Sequence, residues 1–399
     1  MSLAEAISAV GPGPLTEDAL RQHIFPLFSR TIARPGIYLA NHSLGRPLNQ
    51  TRDDVRECIE LWQSHLGDAW DGWMAEHHAH RSRLAQLIGA SRPDCIIPKT
   101  SAGQGLRTVL NALPGTPRVL STDTEFDSVD VILKQYAAVG RIQLQLVPIH
   151  LDGRLDLSQL YDCIPNKIDL LVVSQVLFAT GELLPNPDTL AAHCHQHGAR
   201  LLVDAYHAVG ALPVDVTAMG ADFMIGGSYK YLRGGPGASF LYLSPDALDS
   251  GLRPLDIGWF AKEQPFRFER PDPPRFAAGG DAFLESTPGV LSWYQARAGQ
   301  QFTLGLGVAR LRAYSLDRLS RLKRYLGAHG VEAQGADDAH GAFLTVEHPS
   351  APELADALRT HGILSDARNR WLRLCPDCLT LDGALADTAT TLAAVLRAG

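Results

Sequence analysis

The chain has 399 residues, 45% of them hydrophobic and 20% charged, with a formal net charge of −7; this length exceeds one simple core and suits a large α/β domain with a smaller one. The acidic balance and the scattered lysines and arginines form no basic stripe, giving no reason to expect nucleic acid or an anionic membrane as partner. No apolar run reaches spanning length, residues 1–15 lack the basic and then apolar character of a leader, and the six cysteines are irregularly spaced, so a cytoplasmic protein with reduced thiols is expected.

Residues 1–35 carry glycine and proline with little periodicity and read as an arm that packs elsewhere on the protein or on a second subunit. Tyr38 to Pro47 is a short strand breaking into a polar turn. Thr51 and Asp54 resemble a capping box, after which Val55, Ile59, Trp62 and Leu66 share one helical face. A second helix runs from His77 to Ile88 and stops at Gly89. Short apolar runs at 95–98, 118–122, 142–149, 169–175, 199–204, 223–226 and 238–243 then alternate with helical stretches near 102–112, 127–139 and 187–197. That alternation predicts a mostly parallel seven-stranded sheet flanked by helices. Pro265 to Gly280 has no period and reads as a long loop. Helices over 290–312 and 315–328, strands near 342–346 and 371–374, and helices over 352–361 and 381–397 predict a smaller α+β domain. The expected division is an arm over 1–49, a large domain over 50–285 and a C-terminal domain over 286–399.

Several strand ends carry chemistry. Cys95 to Pro98 leads into Lys99-Thr100-Ser101 and a glycine-containing helix start, where backbone N–H groups, the helix dipole and two hydroxyls suit a phosphate; plain capping is the alternative. Phe126 follows the next strand and can stack on a flat ligand or pack in the core. Ser174 leaves a third strand, where α/β sheets place ligands. Asp204 closes the apolar run Leu201-Leu202-Val203, so its carboxylate needs a partner to stay ionised. Lys230 follows Phe223-Met224-Ile225-Gly226-Gly227, a setting that depresses an amine's pKa and favours a Schiff base. A lysine and an acid at neighbouring strand ends match the needs of pyridoxal phosphate (PLP), whose aldehyde takes a lysine and whose ring nitrogen takes a carboxylate.

Asp204-Ala205-Tyr206-His207-Ala208-Val209-Gly210, Ser228-Tyr229-Lys230-Tyr231-Leu232-Arg233-Gly234-Gly235-Pro236-Gly237 and Ile257-Gly258-Trp259-Phe260 together resemble the kynureninase family, within the class V aminotransferase group of PLP fold type I enzymes. The likeness runs from about Tyr38 to Thr380. It implies that Lys230 bonds to the cofactor and moves the Cα proton, that Asp204 holds the pyridine nitrogen, and that His207 lies beside them. Thr100, Ser101 and Tyr229 would bind the phosphate, and Phe126 would stack on the ring. Ser174 would line the cofactor site. Trp259 and Thr287 would complete the phosphate site, from the neighbouring subunit of a homodimer. Asn41 and Ser43, in a turn resembling the family's Asn-Ser-Leu-Gly with one residue inserted, and Arg373, which would grip the α-carboxylate, belong to the substrate.

The departures concern the substrate end. The family's ring-side Asp falls at Val129, and Asp130, one position later, is the candidate to replace it at the cofactor; Trp-Trp-Gly-His is replaced by Trp259-Phe260-Ala261-Lys262, and an Arg by Leu284. The resulting expectation is hydrolytic Cβ–Cγ cleavage of kynurenine or a related β-acyl amino acid. Transamination, a cysteine lyase or desulfurase activity, and a non-catalytic regulatory protein are the alternatives. His193 and His197 stand at metal-pair spacing, but no Glu follows His193, and Cys375-Pro376-Asp377-Cys378 is one pair without a second, so no metal is expected.

Overall fold

The computed structural model describes residues 1–151 and 154–398. Seven strands form the main sheet: β1 (Ile96–Lys99), β2 (Arg118–Thr122), β3 (Gln143–Val147), β4 (Leu170–Ser174), β5 (Arg200–Asp204), β6 (Phe223–Gly227) and β7 (Ser239–Leu243). Their spatial order is β1-β7-β6-β5-β4-β2-β3. β7 runs antiparallel to both neighbours and every other pairing is parallel. The expected mostly parallel sheet is therefore present, each strand within about two residues of its apolar run.

These strands are apolar on both faces, since β4, β6 and β7 are buried throughout, as a sheet covered by helices requires. Close cover is visible at Gly105 on the helix Ala102–Ala112, where a Cβ would lie 2.8 Å from Ile225 on β6. The strand order places the C-terminal ends of β1, β2, β4, β5 and β6 on one edge of the sheet. Lys99, Gly227 and Ser239 are aligned there in register, as are Ser174 and Asp204.

A second core surrounds a three-stranded antiparallel sheet of β8 (Leu344–Glu347), β9 (Asp366–Arg368) and β10 (Trp371–Leu374), in the order β8-β10-β9. Helices Val308–Ala328, Ala351–Thr360 and Asp382–Ala398 accompany it. Three local readings are corrected. The arm is helical, with Leu3–Val10 capped by Ser2 and Glu5 in a reciprocal box, and a third core joins it to the helix Leu291–Leu306. The second helix begins at Ala69, eight residues earlier than its periodicity suggests, because Gly72 and the bulky Trp70 and Trp73 mask the pattern. The break between the two long helices, expected between 312 and 315, falls at Gly307, whose φ of 85° lies in the left-handed region.

Candidate active site

The C-terminal sheet edge opens into a cavity of about 610 Å3. Lys230, Asp204, His207, Phe126, Ser174, Tyr229, Thr100 and Ser101 all line it. Eight residues read from the sequence as cofactor ligands thus meet in one space, delivered by five strand ends and the loops after them.

Lys230 sits three residues past β6 and is 5% exposed. Its Nζ lies 2.6 Å from Nε2 of His207 and 5.5 Å from the centre of the Phe126 ring. Burial pushes the amine down to about 7, against the opposing charge of Asp204, so a neutral nucleophilic amine is accessible near neutral pH. His207 is held neutral, its pKa driven well below the ordinary value by burial and then by Lys230. Asp204 is also buried, and burial raises its carboxyl while the backbone N–H of Tyr206, 2.9 Å from Oδ1, and the Lys230 charge work the other way. Only one Asp204 oxygen is engaged in that bond.

At the phosphate-type turn Ser101 caps the helix Ala102–Ala112, its Oγ accepting from the N–H of Gln104 at 3.2 Å. The Gln104 side-chain oxygen accepts from the Thr100 N–H (2.6 Å) and hydroxyl (3.0 Å). Behind it Lys99 Nζ meets Glu285 at 2.8 Å, and Glu285 also accepts from Gln104. Ser174 donates its hydroxyl to Glu125 at 2.6 Å, so that proton faces away from the cavity's other groups.

Other residues stand elsewhere. Asp130 pairs with Lys134 at 2.7 Å and faces a different cavity, because the helix Asp127–Ala138 turns it outward. Trp259 donates to Thr287 at 3.2 Å, and this pair lies outside the Lys230 cavity, Thr287 lining a smaller space that shares Thr100 and Gly237 with it. Asn41 and Ser43 do not line the cavity; Asn41 donates to the Cys375 carbonyl at 2.8 Å. Their turn nevertheless abuts the lysine loop, since Gly45 N–H bonds to Tyr229 O at 2.8 Å and a Cβ at Gly45 would lie 1.9 Å from Lys230 O. Arg373 is 2% exposed and sits behind Phe178, a cavity-lining residue whose carbonyl it binds.

Three participants escaped sequence reading. Glu125 is buried against Thr122 and Ser174, and burial lifts its carboxyl to about 7 against their hydrogen bonds. Its signal was an acid directly before the cavity's aromatic residue. Asp366, in the segment that resembles the family's before Arg373, and His42, in the inserted turn, carried no signal of their pairing, since the two meet across 324 residues. Cys375 and Cys378 are buried and burial pushes their thiols up to about 12 and 11. Among the described residues no group of three or more His, Cys, Asp or Glu is arranged to hold a metal ion, and no helix is long and apolar enough to cross a membrane.

Comparison with known proteins bears on this arrangement. The family model described as aminotransferase class V matches residues 63–363. A kynureninase from Pseudomonas fluorescens is 28% identical, covering 83% of this chain and 82% of its own length. One from Salinispora tropica is 28% identical over 94% of this chain and 95% of its own. An uncharacterized aminotransferase, YcbU of Bacillus subtilis, is 26% identical over 84% and 86%. Among solved structures, an apo cysteine desulfurase from Thermococcus onnurineus NA1 aligns with a TM-score of 0.81 at 18% identity, covering 95% of this chain and 98% of that one. A C-DES mutant with glycine covalently linked to its PLP cofactor aligns with a TM-score of 0.83 at 20% identity, covering 92% and 98%. The architecture is that of PLP fold type I.

Proposed function

Because the chain belongs to the aminotransferase class V family, whose cofactor is PLP, we propose that it is a cytoplasmic, homodimeric enzyme that hydrolyses the Cβ–Cγ bond of kynurenine or a related β-acyl amino acid. The residues present fit the cofactor: a buried amine, a carboxylate with an unengaged oxygen, an aromatic ring and a helix N-terminus share one cavity of about 610 Å3. When bound, PLP supplies an electron sink for the pair left when a bond to Cα breaks.

The observation that carries the reading is the depressed amine of Lys230 held against His207 in that cavity. As a neutral amine Lys230 can attach to the aldehyde and, once displaced, hold or return the Cα proton. His207 keeps Nζ oriented by accepting its hydrogen bond. Asp204 would bind the ring N–H, a cationic partner that offsets the cost of its own burial. Thr100, Ser101 and Tyr229, with the N–H groups of the Ala102–Ala112 helix, would hold the phosphate. Phe126 would cover one ring face, and Arg373 would bind the substrate carboxylate.

Kynureninase relatives at 26–28% identity over most of the chain support hydrolysis of a β-acyl side chain. Desulfuration is disfavoured by the cysteines nearest Arg373 in sequence, because buried thiols raised to about 12 and 11 are poor nucleophiles. The exposed Thr287, bonded to Trp259, supports a dimer in which a second copy brings this pair to the phosphate end. The test supplies L-kynurenine to the PLP-loaded protein and reads anthranilate fluorescence. Anthranilate and alanine in equal amounts are expected; pyruvate, sulfide or a keto acid from other amino acids, with no anthranilate, would replace this reading with a lyase or aminotransferase. A cofactor absorbance unaffected by Lys230→Ala would favour a non-catalytic protein. Light scattering that reports a monomer removes the dimer.

A further inference from the structure

Arg373 is held on two sides before any substrate arrives. Asp366 and Arg373 are directly opposed on the antiparallel strands β9 and β10, so their pairing is built into the register. Asp366 Oδ1 lies 2.9 Å from Nε and Oδ2 lies 2.6 Å from Nη2. The Phe178 carbonyl takes a hydrogen from Nη1. A guanidinium has five N–H groups in a fixed plane, so one N–H remains on each terminal nitrogen, the number that a two-pronged grip on a carboxylate uses.

Asp366 is itself held. His42, 0% exposed, places Nε2 2.7 Å from Asp366 Oδ1. Burial, then the Arg373 charge, lowers the imidazole to about 4, so near neutral pH it donates a neutral N–H to a carboxylate whose balancing charge is on Arg373. Phe343 backs both, with the His42 ring 5.0 Å and the Arg373 guanidinium 5.7 Å from its centre. His42 is the residue inserted in the turn after Tyr38, and that turn also touches the Lys230 loop through Gly45.

We propose that His42 and Asp366 are positioning residues that aim the remaining N–H pair of Arg373 at the α-carboxylate of the substrate, and thereby set this chain's preference for amino acids over simple amines. The inference rests on Arg373 being the carboxylate clamp. Without Asp366 the guanidinium keeps its charge and loses its orientation; without His42 the carboxylate that orients it swings.

The test titrates PLP-loaded protein with glycine and, separately, with methylamine, which has the same amine and no carboxylate, following the cofactor absorbance, with melting temperatures on the same samples. Wild type is expected to bind glycine far more tightly, and Arg373→Gln to erase that preference. Asp366→Asn and His42→Ala are expected to weaken glycine about tenfold, as for loss of one charge-assisted hydrogen bond, with methylamine unchanged. His42→Gln, which keeps a donor, restores glycine binding. Equal weakening of both ligands, or unchanged glycine binding in Asp366→Asn while Arg373→Gln loses it, overturns the positioning role. If wild type or Arg373→Gln gives the opposite of its expected result, the clamp reading itself falls. Should His42→Ala fail to fold, Asp366→Asn and His42→Gln decide the matter.

Discussion

Two lysines stand near one edge of the main sheet, each 5% exposed, and they meet opposite kinds of partner. Lys99 ends β1 and is met by Glu285 at 2.8 Å and by the Phe283 carbonyl at 3.2 Å. Lys230 follows β6 and meets a neutral imidazole at 2.6 Å, with no carboxylate among the described residues in ion-pair contact. Burial lowers both amines, but at Lys99 Glu285 opposes the shift through a direct hydrogen bond, whereas Lys230 descends to about 7. Equal burial therefore does not make two lysines alike; the partner that each amine meets opposes or leaves standing the downward push of burial.

The largest effect that tests this contrast is Lys230→Met against Lys99→Met. Loss of Lys230 should lower turnover by roughly 10,000-fold, as for a residue that is both nucleophile and base, and should abolish covalent attachment of PLP by mass spectrometry after borohydride reduction. Lys99→Met should leave the attachment intact; the reverse result breaks the comparison. Next, Asp204→Asn should reduce turnover by about 100-fold and push the Lys230 amine further below its ordinary value, because the carboxylate is what holds it up. A pH profile of amine modification that moves upward instead would contradict the assignment.

A smaller effect belongs to the Lys99 side. Glu285→Gln leaves a buried ammonium without its counter-charge. Breaking a buried pair costs about 3–5 kcal/mol, and with the Glu285 side chain 33% exposed about 2 kcal/mol is expected in denaturant titration. PLP affinity should also fall several-fold, since Gln104 and Thr100 lose their anchor; unchanged stability would mean that Lys99 finds another partner. The smallest is a linkage effect in the cofactor-free protein. Lys230 titrates near 7 when folded and near 10.5 when unfolded, so between these values the unfolded chain binds the extra proton and stability rises with pH. The penalty is full below about 7 and gone above about 10.5. Lys230→Met should remove that slope between pH 7 and 10, and a slope equal to wild type would refute the depressed amine.

The same contrast explains what could be read in advance. Sheet strands were legible because two-sided burial demands uninterrupted apolar runs, and the cofactor end was legible because His207 and Lys230 are only 23 residues apart along two of those runs. Asp130 misled because its spacing from Phe126 was counted along the chain, while the helix that begins at Asp127 presents it to Lys134. Glu125, one residue before Phe126, turns inward instead. The arm was illegible because its π and 3-10 turns carry no 3.6-residue period. Nothing local could pair His42 with Asp366, whose meeting depends on Ile37–Tyr38 docking beside Ile363–Leu364.

That docking fixes an order of events during synthesis. Asp204, His207 and Lys230 have all left the ribosome well before Arg373 exists, whereas the turn at His42 emerges early and must wait for the last strand. Domains fold largely in the order they are made. The nascent chain thus gathers its cofactor-binding groups first and its means of choosing a substrate last, and a chain released early would hold the reactive amine without the device that restricts what it meets.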